Sequence, residues 1–500
     1  MTAATKERPP ADRTEKGDPD LARDAEQVDI LARLGIRPRG ERPRVAVLGL
    51  ARSGRAAARL LAQLPLDLEL LDLTRPSDPH DAAAQQVIDH DLEQLVRQGA
   101  ALKLGPHDID WLARYDLLVK SPGIPPRVPF VAAALERGVP VVGEVEIAWH
   151  FARGPVFAIT GTNGKSTTTA WAGDMLGSER AALVCGNIGR PFSEAVEARA
   201  EGPFVVEVSS FQIADSVRFR PDAAALLNFT PDHLDYHRDL DEYREAKLML
   251  FARLGAGQRA IVGPDDALAA HLRGRCGAEL VRFRLEDRGE EGGFARAGAL
   301  WLREGGRETR LLSITEVSLP GPHNLENGLA AALGARALGA SHQAIARSLA
   351  TFAGLHHRLE RVGELHGVRF VNDSKATNVD SLEVALRSFD RPVVLIAGGR
   401  DKGQDFTPLA PLVRERVATL VLIGEGAERI GAAWTGLPTL RAQTFEEAVR
   451  AAYRAASPGQ TVLLSPACAS FDMFRNYEHR GDRFREEVDR LAQEGGDAHA

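Results

Sequence analysis

Short apolar blocks alternate with longer amphipathic stretches along most of the chain, the pattern of buried parallel strands joined by helices. Residues 44–49 form the first such block. It runs through Leu50-Ala51-Arg52-Ser53-Gly54 into an Ala/Leu-rich helix predicted over 56–64, and further strands are predicted at 68–73, 115–119 and 140–144. A second set covers 155–157, 204–210 and 223–228, and a third covers 369–372, 393–397, 419–423 and 461–465. Residues 239–254 read as a helix with Asp239 and Glu242 in the spacing of a capping-box variant. A long Ala/Leu helix opens in 319–328, with Asn324 placed as its N-cap. Residues 258–319 read as strand-rich, with the turn-laden 286–306 as a surface excursion. Residues 1–43 are rich in charge, Pro and Ala; they read as a disordered tail with a short helical tendency at 28–34. The fold predicted is α/β, with three consecutive domains. They are a Rossmann-like N-terminal domain over 44–153, a central P-loop-type ATP-binding domain over 154–354 and a Rossmann-like C-terminal domain over 355–491.

The chemistry centres on Gly161-Thr162-Asn163-Gly164-Lys165-Ser166-Thr167, between a strand and a helix start. Glycines let the backbone approach an anion, and the helix start aims N–H groups and a partial positive charge at it. Lys165 can reach terminal phosphate oxygens, and Ser166 offers a hydroxyl to Mg²⁺. The general P-loop glycine is replaced by Ile159, so this is a short variant, but the strand–loop–helix setting marks an ATP site rather than a glycine-rich turn. Glu207 stands inside an apolar strand. A buried carboxylate is costly unless paired, protonated or metal-bound, and beside an Mg–ATP site a metal is favoured over an unseen arginine. Asp232, His233 and Asp235 cluster after the strand at 223–228. Lys247 falls on the apolar helix face with Tyr243, Leu250 and Phe251, where a lysine either snorkels outward or has a chemical task.

Other candidates lie at strand ends. The first glycine turn lacks the middle glycine of the dinucleotide fingerprint, since Ala51 occupies it, so a phosphate or diphosphate is expected there rather than NAD. Lys120-Ser121-Pro122-Gly123-Ile124-Pro125 is either a ligand loop or an ordinary rigid turn. Asn187 sits in a second glycine turn, and Asn327 in the first turn of its helix. In the third unit, polar loops follow three strands: Asp373–Asn378, Gly398–Lys402 and Pro466–Ser470.

Composition narrows the class. The chain has 500 residues and 44% hydrophobic content, enough for a large core, and a net charge of −7 that offers no field for nucleic acid. Three scattered cysteines form no disulfide or zinc framework and suit a reducing cytosol. No secretory pattern opens the chain and no apolar run approaches membrane length, so a cytoplasmic protein without membrane insertion is expected.

Taken together and in order, the phosphate loop, the Glu207 strand, Thr230-Pro231-Asp232-His233-Leu234-Asp235, Tyr243-Arg244-Glu245-Ala246-Lys247, His323-Asn324 with Asn327, His357-Arg358-Leu359-Glu360, Asn372–Asn378 and Leu464–Ser470 resemble the Mur ligases of peptidoglycan synthesis. The resemblance covers about residues 44 to 490. The Asn372–Asn378 and Ser465–Ser470 segments resemble the D-glutamate-adding branch, and the Asp-Asn-Pro-Arg motif of a diaminopimelate-adding sister is absent. The resemblance implies an ATP- and Mg²⁺-dependent amide ligase, acting as a monomer, that joins D-glutamate to UDP-N-acetylmuramoyl-L-alanine through an acyl phosphate. It further implies that Gly161 to Thr167 cradle ATP, with Lys165 at the β/γ-phosphates. Ser166 and Glu207 would serve one Mg²⁺, and His233 and a carbamylated Lys247 a second. Asn187 would hold the muramyl group, Asn327 the adenine, and Arg358 and Asp373 the nucleotide. Lys375, Thr377, Lys402, Ser470 and Tyr477 would surround D-glutamate, with Tyr477 standing where the family has phenylalanine. Ser53, Thr74, Arg75, Ser121, Pro122 and Gly123 would hold the uridine diphosphate end.

Three other readings compete. A folylpolyglutamate-type sister ligase conflicts with the third-domain motifs. A catalytically dead binding protein conflicts with the intact Lys165, Glu207, His233 and Lys247. A generic P-loop kinase accounts for the loop alone.

Overall fold

The computed structural model describes residues 27, 29–36, 40–73, 90–230, 236–401 and 403–497. Three sheets follow one another along the chain. The first contains β1 (Arg44–Leu48), β2 (Asp67–Asp72), β3 (Ala101–Leu104), β4 (Leu117–Lys120) and β5 (Val141–Gly143), all parallel in the order β3-β2-β1-β4-β5. The strand order reverses beside β1, which is where open α/β sheets leave a crevice for a ligand.

The second sheet is built around β6 (Val156–Thr160), which is buried at every residue. It also holds β7 (Leu183–Gly186), β8 (Phe204–Glu207), β9 (Ala223–Leu226), β10 (Arg259–Val262) and β11 (Glu279–Phe283). Three more strands, β12 (Gly292–Arg296), β13 (Ala299–Glu304) and β14 (Arg307–Ser313), complete the order β14-β13-β12-β11-β10-β9-β6-β8-β7. β12 joins β11 in parallel and turns back on β13 antiparallel. The expected surface excursion at 286–306 is therefore largely sheet: Gly298, Gly305 and Gly306 serve the turns between its strands, and Phe294, Leu300 and Leu302 are buried.

The third sheet comprises β15 (Glu360–Leu365), β16 (Val368–Asn372), β17 (Val393–Gly398), β18 (Val417–Ile423), β19 (Thr439–Arg441) and β20 (Thr461–Leu464), in the order β15-β16-β20-β17-β18-β19. Only β15 runs antiparallel to its neighbour. The period-two alternation of β17 is visible in its packing: Val393, Leu395 and Ala397 enter the core on one face, and Val394 and Ile396 the core on the other.

The chain divides into two compact units, residues 1–311 with 329–345, and residues 312–328 with 346–500. Within the first, one apolar core is continuous from Val45, Val47 and Leu68 of the first sheet to Val156, Phe204 and Val206 of the second. Part of the expected tail also joins it. Residues 29–33 are helical, Ile30 and Ile36 are buried in that core, and Arg218 donates to the Arg33 carbonyl. Two caps differ from expectation. The helix Pro322–Ala337 begins before Asn324, whose amide donates back to the Pro320 carbonyl at 2.8 Å. Asp239 does cap the helix Leu240–Ala252, but Glu242 returns to the Arg238 N–H rather than to that of Asp239. No described helix is long and apolar enough to cross a membrane.

Candidate active site

The phosphate loop joins β6 to the helix Lys165–Arg180. Gly164 is the N-cap at φ 82°, a left-handed conformation that favours glycine. Lys165 Nζ folds back on the loop, donating to the carbonyls of Gly161 at 3.0 Å and Thr162 at 2.7 Å. Ser166 is buried, Thr167 half-buried and Asn163 exposed. Lys247, 2% exposed, reaches the same loop from below: its Nζ donates to the Gly161 carbonyl at 2.9 Å and lies 4.5 Å from the Tyr243 ring centre. Two lysines thus converge on one carbonyl.

Glu207 ends β8 and is 2% exposed. One carboxylate oxygen accepts from Asn187 Nδ2 at 2.9 Å; the other is buried with no hydrogen-bond partner among the described residues. An anionic oxygen left without a donor beside a phosphate loop fits a cation. Among the described residues no group of three His, Cys, Asp or Glu side chains gathers as a metal cluster, and His233 lies outside them.

Asn187 also lines a cavity of about 930 Å³ shared by the first two sheets, together with Ser53, Ser121, Pro122, Gly123 and Asp72. Its floor is tightly built. Gly54 has no room for a side chain, since a Cβ there would stand 1.9 Å from the Gly49 carbonyl. Ser121 Oγ donates to that carbonyl at 2.7 Å, and Asp72 accepts from Leu50 N–H at 2.8 Å. The Ser121–Ile124 turn is anchored by Lys120, whose buried ammonium donates to Ile124 O at 2.9 Å and to Asp215 of the central domain. Burial pushes the Asp215 carboxyl up to about 6 against the pull of Lys120. Thr74 and Arg75 lie outside the described residues.

The third sheet carries a second cluster. Asp373 follows β16, accepts from Ser465 Oγ at 2.7 Å and Leu359 N–H at 3.2 Å, and burial pushes it up to about 7. Arg358 sits between His357 at φ 61° and Leu359 at φ 47°, two non-glycine residues in the left-handed region. The Lys375 N–H donates to the His357 carbonyl at 3.0 Å, so Asp373 and Lys375 both brace that turn. Thr377 is half-buried and Ser470 buried; Lys402 lies outside the described residues. The Tyr477 ring stands edge-on to His357, 6.3 Å between centres, and burial pushes its hydroxyl up to about 12. Asn327 is buried near the start of its helix, 3.5 Å from the Asn324 side-chain oxygen.

Several organising residues escape the sequence reading. Arg480, 2% exposed, donates to Ser374 Oγ at 2.9 Å, Ser374 O at 2.8 Å and Cys468 O at 3.1 Å, tying the Asn372–Asn378 and Ser465–Ser470 loops together. Burial lowers its guanidinium to about 10. Asn228 performs a like task at the phosphate loop. Its only signal in the sequence is its position as the polar last residue of a predicted apolar strand.

Residues 43–143 match the MurD-like N-terminal domain of Mur ligases, residues 159–335 the Mur ligase middle domain, and residues 357–468 the glutamate ligase domain of Mur ligases. The UDP-N-acetylmuramoylalanine–D-glutamate ligase of Pelotomaculum thermopropionicum is 42% identical over 452 residues, 89% of this chain and 97% of that protein. Those of Salinibacter ruber and Myxococcus xanthus are each 43% identical, over 90% of this chain and 98% of theirs. Among solved structures, the UDP-N-acetylmuramate–alanine ligase of Thermotoga maritima shares the fold at a TM-score of 0.51 and 18% identity, covering 90% of this chain and 100% of its own. The MurF ligase of the same organism, in complex with ADP, does so at 0.51 and 14%, covering 91% and 97%.

Proposed function

The chain belongs to the Mur ligase family, and from that premise we infer that it is the ligase that adds D-glutamate to UDP-N-acetylmuramoyl-L-alanine at the expense of ATP, in peptidoglycan precursor synthesis. One observation supports the reading on the molecule itself: Asn187 lines the large cavity and donates to Glu207, so the cavity adjoins the carboxylate expected to serve Mg²⁺. A long anionic substrate laid in the cavity, its diphosphate toward the Gly49–Ser53 turn, would bring its far carboxylate to that side.

The chemistry runs in two steps. A carboxylate oxygen of the alanyl group attacks the γ-phosphorus, the bond to ADP breaks, and an acyl phosphate forms. The amine of D-glutamate then attacks the acyl carbon, loses a proton and expels phosphate, leaving an amide. Both reactants of the first step are anions, so the barrier is largely electrostatic. Lys165 leaves the Gly161 and Thr162 carbonyls for the terminal phosphates and stabilises charge there. Ser166 and Glu207 would hold one Mg²⁺, and His233 and a carbamylated Lys247 a second, which would supply further charge neutralisation. In the third domain Arg358 and Asp373 take the nucleotide, as does Asn327 of the second unit. Lys375, Thr377, Lys402, Ser470 and Tyr477 bind D-glutamate. The enzyme acts as a cytoplasmic monomer.

ADP release measured with UDP-N-acetylmuramoyl-L-alanine tests this. Release should depend on D-glutamate. Equal rates with L-glutamate, L-alanine or diaminopimelate, or release without any amino acid, would overturn the assignment.

A further inference from the structure

The phosphate loop does not hold its own shape. The Thr162 N–H donates to Asn228 twice, to the main-chain carbonyl at 3.2 Å and to the side-chain oxygen at 3.1 Å. The Asn163 N–H donates to the same side-chain oxygen at 2.8 Å, and the Asn228 amide donates back to the Asn163 carbonyl at 3.1 Å. One side chain therefore closes three hydrogen bonds on two consecutive loop residues. A second stitch lies beside it: Thr162 Oγ1 donates to the Thr230 carbonyl and accepts from the Thr230 N–H, each at 3.0 Å, and stands 3.2 Å from the Tyr243 hydroxyl.

We propose that Asn228 is a positioning residue for phosphoryl transfer, the latch that presets the phosphate loop before ATP arrives. This rests on the ATP-ligase reading above. The physical reason lies in which N–H groups an anion needs. A helix start offers the donors of its first turn, which have no intrahelical acceptor. Thr162 and Asn163 precede that turn, and their N–H groups would compete for the phosphates in arbitrary directions if the loop were loose. Asn228 consumes both and fixes the turn, so the phosphates meet the helix start at one depth and angle. Aspartate cannot replace it without loss: it accepts both N–H groups but cannot donate to the Asn163 carbonyl, and it sets a negative charge beside the phosphates. The latch also joins the loop to the chain leaving β9.

The test combines exchange and kinetics. In the nucleotide-free wild type, the Thr162 and Asn163 amides should be protected from hydrogen exchange; unprotected rates at both would overturn the latch without any mutant. Asn228→Ala should lose that protection, raise KM for ATP about ten-fold or more and weaken binding of a non-hydrolysable ATP analogue in parallel, while KM for D-glutamate stays within about two-fold. Asn228→Asp should keep the amide protection yet bind the analogue more weakly. An Asn228→Ala enzyme with wild-type affinity for the analogue would end the proposal. If the wild type itself neither binds nor hydrolyses ATP, it is the ligase reading that fails.

Discussion

Glu144 offers a sharp test of the burial argument, because its substitution should stabilise the protein and do so only at high pH. It is the first residue of the helix Glu144–Phe151, 1% exposed, and one of its oxygens accepts from the Ser193 N–H. Its other oxygen is buried without a hydrogen-bond partner among the described residues, and the Ser193 hydroxyl stands close enough to favour the charged form in part. Burial pushes the carboxyl from its ordinary 4.5 up to about 7. Below pH 4.5 folded and unfolded states both hold the proton, and Glu144 costs nothing. As pH rises towards 7 the unfolded chain releases the proton while the folded one keeps it, so stability falls; above 7 the full cost of ~3 kcal/mol is present. Glu144→Gln never ionises, keeps an oxygen for Ser193 N–H and adds an N–H₂ that the Ser193 hydroxyl can accept. Urea unfolding of wild type and variant at pH 5, 6.5 and 8 should show a stability difference that is small at the first and grows by ~2–3 kcal/mol by the last. A difference that does not change with pH would refute the reasoning, because only a displaced titration makes it pH-dependent.

Three further outcomes are expected. Lys165→Ala should fold normally and lose roughly a hundred-fold or more in turnover, since it removes transition-state charge rather than packing; near-normal turnover would remove Lys165 from the phosphates. Lys247→Ala should be nearly inactive and partly restored by formate or acetate if the residue works as a carbamate, and an active Lys247→Arg enzyme would exclude that. Lys402→Ala should raise KM for D-glutamate far more than KM for ATP, and equal effects would reassign it to the nucleotide.

The parts of the site legible in the sequence are those whose chemistry is contiguous. Gly161 to Thr167 can be read because glycine, lysine and hydroxyl stand side by side between a strand and a helix. Glu207 can be read because an acid in an apolar strand is costly. The organising contacts are different in kind. Asn228 meets Asn163 across 65 residues, Lys120 meets Asp215 across 95, and Arg480 meets Ser374 across 106. No local spacing links such partners; only the strand order brings them together. The arm β12–β14 is misread for a related reason. Gly298, Gly305 and Gly306 take positive φ in tight turns, at 72°, 58° and 75°, and turn chemistry that dense resembles a loop. Asn324 fails as a cap because Pro322 starts the helix earlier, which its fixed φ favours.

The hydrogen bond between Asn187 and Glu207 sets a polarity on recognition. A side-chain amide has two N–H donors and one accepting oxygen, and Asn187 commits one of the N–H groups to the Glu207 carboxylate at 2.9 Å. The second N–H and the oxygen remain, so what Asn187 can turn toward a ligand in the cavity is one donor and one acceptor side by side. That pair is the complement of another amide, the kind of group that an acylamino sugar or a peptide linkage carries, and the carboxylate behind it fixes which edge faces outward.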